Sequence, residues 1–264
     1  MADGDYERGR DREIAALQSR LRALAKVRAV VSPPPVPEVL TLNGWAASPD
    51  AWSICAFASR KGTRLFSYIE QLDGMPERHL ETASTGARFV IVGWSMGGSS
   101  ALRLACRYPR RIAGLVLVAA TPRMMEERDS AWRGMNARRL EALRKGVELT
   151  HGEGFFGQPE GRPNPYMADT DDHLARGLKY LLDTDLRAEL EREFTGEGAP
   201  VFPVYVFQSE HDGIVRPENA AYLKRIFPHC RLTMIPGTEH ALPVAIPKEI
   251  DNAVDACLAV AAQS

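Results

Sequence analysis

The chain has 264 residues, 45% of them hydrophobic, and 33 Lys plus Arg against 34 Asp plus Glu give it a net charge of −1. That length and apolar content suit one sizeable core, and the near-neutral balance offers no overall field to recruit nucleic acid or an anionic membrane. The first thirty residues are too charged for a secretory leader, and no apolar run reaches the roughly 18 residues that a bilayer span needs. A cytoplasmic protein without membrane attachment is therefore expected. Cys55, Cys106, Cys230 and Cys257 form no C-x-x-C pair and the six histidines no H-x-x-x-H spacing, so reduced thiols and neither metal nor other cofactor are expected.

In chain order, Ile14, Leu17, Leu21 and Leu24 recur at helical spacing among Arg20, Arg22, Lys26 and Arg28, which predicts an amphipathic helix over residues 11–28. Pro33, Pro34, Pro35 and Pro37 then forbid helix and predict a stiff linker, so residues 1–37 are set apart from a body that starts at Glu38. From there short apolar runs alternate with helical patterns, the layout of a mostly parallel sheet flanked by helices. Strands are predicted at residues 39–42, 65–69, 89–92, 112–119, 204–207 and 232–235. Helical segments are predicted at 50–59, 99–108 and 248–262. Residues 123–199 abandon the alternation and turn polar and helical. They predict a helical cap inserted between two core segments, 38–122 and 200–264.

The strand at 89–92 runs into Gly93-Trp94-Ser95-Met96-Gly97-Gly98 and then into helix formers. G-x-S-x-G arises by chance in roughly one chain in ten of this size, so its weight comes from the strand-to-helix context. A sharp turn needs neighbours without bulk, which Gly93 and Gly97 supply. A serine there faces the amide-rich start of a helix, where negative charge is favoured, as in a nucleophile elbow. Serine is a weak nucleophile and needs a base, itself oriented by a carboxylate. Asp212 follows the strand at 204–207, with Glu210 as competing carboxylate, and His240 follows the strand at 232–235. His211 and His229 are weaker candidates for the base. All three chosen side chains fall at carboxyl ends of strands, where parallel sheets assemble their sites. Ser95, Asp212 and His240 are thus the candidate catalytic triad. Two backbone N–H groups are needed for the oxyanion, one after the nucleophile and one after the first core strand, which selects Met96 and Trp45.

These motifs resemble the α/β-hydrolase superfamily over nearly all of residues 38–264. Gly44-Trp45, the Gly93–Gly98 string, Ala120-Thr121-Pro122, Trp132-x-Gly134 and Gly177-Leu178-x-x-Leu181-x-x-Thr184-Asp185-Leu186-Arg187 are similar to one branch of it, the pimeloyl-[acyl-carrier-protein] methyl ester carboxylesterases of biotin synthesis. The resemblance implies an α/β-hydrolase fold with an inserted helical cap. It also implies removal of a methyl group from a dicarboxyl chain carried by acyl carrier protein. Three features depart from that branch: Asn43 stands where a histidine is usual, residues 74–88 are shorter than its loop and helix, and residues 1–37 replace its opening hairpin. The shortened segment predicts a less covered sheet face.

Residues 123–145 hold seven Arg or Lys against four Asp or Glu, and acyl carrier proteins are strongly acidic. A basic helix beside the site would steer such a partner, so Arg138, Arg139 and Arg144 are the candidate docking residues, with a solvated helix face as the plain alternative. Trp94, Trp132, Phe155 and Phe156 are the candidate substrate contacts, and Tyr166 and Tyr180 are further aromatics that could line a channel or pack the cap on the body. The same machinery also suits a general small-acyl carboxylesterase or thioesterase. A catalytically silent binding module is the remaining alternative.

Overall fold

Six short segments form strands: β1 (Glu38–Leu42), β2 (Thr63–Phe66), β3 (Phe89–Trp94), β4 (Ile112–Val118), β5 (Val204–Ser209) and β6 (Arg231–Ile235). In this computed structural model they pair in the order β2-β1-β3-β4-β5-β6, every neighbour parallel. The structure describes residues 36–127, 132, 134–150, 165–166, 169–237 and 239–263, with the side chains of 147–150 excepted. All of them belong to one compact unit, Val36–Ser264. The predicted helix over 11–28, Pro33 to Pro35, Arg128, Arg133, Phe155 and Phe156 lie outside the described residues.

Parallel strands are buried on both faces, and their alternation sorts side chains between two cores. Leu40, Leu42, Phe89, Ile91, Leu115, Leu117 and Val206 point to one face. There they meet α2 (Met75–Thr82), α3 (Met96–Arg107), α6 (Arg187–Phe194) and α7 (Glu218–Ile226). Val39, Val90, Val92, Trp94, Val116 and Val118 point to the other, against α8 (Pro247–Ala261) and the short turns carrying Trp52 and Phe57. The short 74–88 segment still supplies α2, whose Leu80 is fully buried, so that face is covered there.

Two predicted elements differ. The strand expected at 65–69 ends at Phe66, because Ser67 and Glu70 form a reciprocal capping box that starts α1 (Tyr68–Leu72). The helix expected at 50–59 is instead two 3-10 turns, Pro49–Trp52 and Ala56–Ser59, with Trp52 and Phe57 turned into the core.

Strand order reverses between β1 and β3, since the chain goes outward to β2 and returns past β1. Leu42 pairs with Gly93, so the carboxyl ends of these two strands lie side by side at the switch point, where such sheets open a crevice.

Between β4 and β5 the chain builds α4 (Ala137–Thr150), α5 (Asp171–Asp183) and α6. An ionic knot stitches the two ends of this stretch together. Arg187 grips Asp185 with two bonds of 2.9 and 2.8 Å and reaches Glu127 at 3.1 Å, while Arg123 donates to the same Asp185 carboxylate. Leu186 N–H donates to Pro122 O at 3.0 Å alongside. The Arg187 guanidinium, joined by Arg123, holds the Asp185 carboxyl at about 2 against the opposing effect of partial burial. A depressed carboxyl stabilises the fold fully above its unfolded pKa of about 3.9, and that contribution fades as pH falls toward the folded value. Wild type should therefore exceed Asp185→Asn in urea stability by a constant margin down to about pH 4, with the margin shrinking below it. A margin that widens in acid would contradict this origin.

Candidate active site

The turn from β3 into α3 is set by crowding. A Cβ at Gly93 would lie 2.4 Å from Gly97 O, one at Gly97 would lie 2.1 Å from Leu42 O, and one at Gly98 would lie 2.4 Å from Ala120 Cβ. Only hydrogen fits at these positions, which is why the sequence reads Gly-x-Ser-x-Gly-Gly. The chain turns sharply at Ser95, whose φ of 54° and ψ of −117° are strained for a residue with a side chain. Such a conformation costs about 1–3 kcal/mol and persists where surrounding structure over-determines it. Here the Ser95 N–H donates to Val118 O at 2.9 Å, and Ser95 O accepts from Gly98 N–H at 2.9 Å.

Asp212 lies three residues past the end of β5 and is 3% exposed. Its Oδ1 accepts from Ile214 N–H at 2.7 Å and Val215 N–H at 3.0 Å. Its Oδ2 lies 2.8 Å from His240 Nδ1 and 3.2 Å from Gln208 Nε2. Glu210, the competing carboxylate, is exposed, as are His211 and His229. His240 is 8% exposed and its Nε2 lies 3.0 Å from Ser95 Oγ. The backbone on either side of the imidazole is clamped: Trp94 Nε1 donates to His240 O at 2.9 Å, and Ser209 Oγ donates to Glu239 O. A carboxylate can only accept, so His240 carries its proton on Nδ1 and offers Nε2 as acceptor to the Ser95 hydroxyl. Proton transfer from Ser95 would leave an imidazolium facing a buried carboxylate, the arrangement that activates a serine nucleophile.

Gly44 lies against this centre, a Cβ there falling 3.3 Å from Ser95 Cβ, so Trp45 follows the residue that touches the serine. Met96, fully buried, is the first residue of α3 and has no carbonyl four residues back within its helix. Met96 thus follows Ser95 directly, and Trp45 follows the glycine that touches it. The Trp45 indole donates to Leu174 O at 2.9 Å and packs under Gly177 of α5, where an added Cβ would lie 2.5 Å from the ring. Asn43, at the departure from the usual histidine, is fully buried and accepts from Trp52 Nε1.

The remaining candidates are spread out. Trp94 is fully buried beneath the site, tilted against Tyr166 and His240 with centroids 5.6 and 5.9 Å away, and supports the histidine loop rather than facing a ligand. Trp132 stands edge-on to Tyr222 at 5.2 Å with Arg187 over its ring, in a cleft of about 950 Å³ that also includes Asp185 and Arg225. Tyr180 receives a hydrogen bond from Ser100 and lies under Arg103, so it packs α5 on α3. Arg138 is exposed, Arg144 is paired with Glu141, and Arg139 is turned inward, donating to Gly213 O beside Asp212. Gln208, Ser209 and Tyr166 adjoin the site but carry no sequence motif. Tyr166 is 4% exposed, and burial, reinforced by the Glu239 and Asp212 carboxylates, drives its phenol well above the usual range.

With this geometry in place, the chain belongs to the alpha/beta hydrolase fold family, whose model matches residues 78–244. Within it the chain is similar to the pimeloyl-[acyl-carrier protein] methyl ester esterase of Nitrosospira multiformis, 29% identical over 257 residues, covering 83% of this chain and 93% of that one. It is similar also to the protein of that name from Nitrosomonas europaea, 27% identical with coverages of 83% and 95%. Among solved structures, a hydrolase from Oleispira antarctica matches with a TM-score of 0.63 at 18% identity over 84% of this chain and 91% of that one. An esterase from Exiguobacterium antarcticum matches with a TM-score of 0.63 at 16% identity, covering 84% and 92%. These two share the fold.

Gly-to-Ala inside a helix ordinarily stabilises by up to about 1 kcal/mol. At Gly177 the sign should reverse, because the methyl would enter the Trp45 ring, and overpacking of this kind costs about 1–3 kcal/mol. Urea unfolding followed by tryptophan fluorescence checks it. A Gly177→Ala protein more stable than wild type would show that α5 does not press on Trp45.

Proposed function

We propose that the chain is a serine carboxylesterase that hydrolyses the methyl ester of a pimeloyl chain held on acyl carrier protein, in the cytoplasm. The inserted residues before α6 act as its cap, while α6, which falls within the expected 123–199 insertion, packs on the sheet core instead. The observation that carries this reading is the unbroken line from Asp212 Oδ2 to His240 Nδ1 at 2.8 Å and from His240 Nε2 to Ser95 Oγ at 3.0 Å. The names of the relatives from Nitrosospira multiformis and Nitrosomonas europaea supply the substrate.

In this mechanism His240 Nε2 takes the Ser95 proton as Oγ attacks the ester carbonyl, and the Met96 and Trp45 N–H groups hold the oxyanion. His240 returns the proton to the leaving oxygen and methanol departs, leaving an acyl group on Ser95. Water then attacks that acyl group with His240 as base, and the free carboxylate leaves. Asp212 fixes the imidazole tautomer throughout. Ser95→Ala should lower turnover by several orders of magnitude, on the order of 10⁶, while leaving the unfolding transition in place. Comparable turnover in that variant would remove Ser95 from the mechanism.

A groove of about 210 Å³ lies beside Trp45, walled by Leu174, Leu178 and Leu182 and flanked by Arg144, Asp171 and Lys179, but none of Ser95, Asp212 and His240 lines it. Carrier docking then falls to Arg138 and its exposed neighbours. Arg138→Glu should raise KM for the carrier-bound ester, more so at low salt, and leave cleavage of free methyl pimelate unchanged. The general small-acyl esterase or thioesterase reading is favoured by the engagement of Arg139 with Gly213 and of Arg144 with Glu141, which thins the docking surface. It replaces the carrier reading if free and carrier-bound esters are cleaved equally well.

A further inference from the structure

Gln208 is the penultimate residue of β5 and has no exposed surface. Its Nε2 faces three acceptors: Ser209 O at 3.3 Å, Asp212 Oδ2 at 3.2 Å and Val215 O at 3.1 Å. None of the three can donate, so the amide has one acceptable orientation, with its NH₂ group toward the turn. The other end of the amide, Oε1, is buried without a hydrogen-bond partner among the described residues. A buried orphan acceptor costs stability, so the residue is a poor choice for packing alone. What it gains is a closed ring: Gln208 holds Asp212 Oδ2 and Val215 O, while Val215 N–H holds Asp212 Oδ1.

Asp212 Oδ2 is the same oxygen that meets His240 Nδ1. With Oδ1 occupied by two backbone amides, Gln208 supplies the donor besides His240 to Oδ2, the oxygen on which the imidazole rests. We infer that Gln208 is a positioning residue of this site, acting through Asp212 to hold His240 Nε2 in line with Ser95. This rests on the Ser95–His240–Asp212 reading above. Among the described residues His240 meets the Asp212 carboxylate, the Glu239 and Asp212 carboxylates both act on the Tyr166 phenol, and Arg139 reaches the adjacent Gly213 carbonyl. Gln208 is neutral, so its removal changes geometry and donor supply without changing the charge of this group.

The test compares wild type, Gln208→Met, Gln208→Leu and Ser95→Ala on p-nitrophenyl butyrate, with active sites counted by titration with a fluorophosphonate. Misplacing a catalytic group by a fraction of an ångström to an ångström costs about 10- to 100-fold, so kcat per titrated site should fall by about tenfold or more in both Gln208 variants while KM stays within about twofold. The far-downfield proton resonance of His240 Nδ1–H should shift or broaden in the same variants. A structural role alone would lower the titrated fraction and leave kcat per site and the resonance unchanged, and that result overturns the proposal. A rise in KM with constant kcat overturns it too. Gln208→Leu stands in where Gln208→Met does not fold, and failure of both to fold assigns Gln208 to structure only. Turnover retained by Ser95→Ala would instead sink the Ser95 reading, whatever Gln208 does.

Discussion

At Ser95 three stretches of backbone approach so closely that only hydrogen fits between them. The first turn of α3 lies on the end of β1 at Gly97 and on the end of β3 at Gly93, and Gly98 lies on the residues after β4. That approach forces the left-handed conformation at Ser95 and lifts its side chain out of the sheet at the switch point between β1 and β3. The strain is local, whereas the packing that maintains it is spread over both faces of a fully parallel sheet. This turn fixes the Ser95 backbone, and the other members of the site come to its side chain.

They do so through bonds that join distant parts of the chain. Trp94, one residue before the serine, holds the His240 carbonyl from below, and Ser209 at the end of β5 holds the carbonyl of Glu239. The histidine loop is thus fastened both to the strand that ends in Ser95 and to the strand that precedes Asp212. The inserted helices join the same framework, α5 through the Trp45 indole on Leu174 and α4 through Arg139 on Gly213. Each of these contacts lands beside a member of the proposed site rather than on the reacting atoms.

Much of this was legible in the sequence, for identifiable reasons. β3 and β4, buried on both faces, read as continuous apolar runs, whereas the edge strands β2 and β6 are partly exposed and show only short apolar stretches. Ser95, Asp212 and His240 stood at strand ends that a parallel sheet must bring to one edge. The end of β2 was misplaced although Ser67-x-x-Glu70 spells a capping box, because Ile69 prolonged the apolar run past it. Burial separated Asp212 from Glu210, a distinction that neighbouring acidic residues in one turn do not carry in their letters. Trp94 and Arg139 read as a ligand contact and a docking cation because residue type alone carries no partner. Their actual partners, His240 O and Gly213 O, lie 146 and 74 positions away. Gln208 and Ser209 gave no signal at all, since their roles exist only in hydrogen bonds across the folded turn.

In the proposed mechanism the acyl group passes through a covalent bond to the elbow serine, and catching that bond during turnover decides whether it does. Protein quenched in acid during turnover of a methyl ester, digested and weighed by mass spectrometry, should carry the acyl mass on the peptide containing Ser95, and on that residue by fragmentation. Turnover proceeding with that peptide unmodified throughout, or with the acyl mass on another side chain, would rule out Ser95 as the nucleophile.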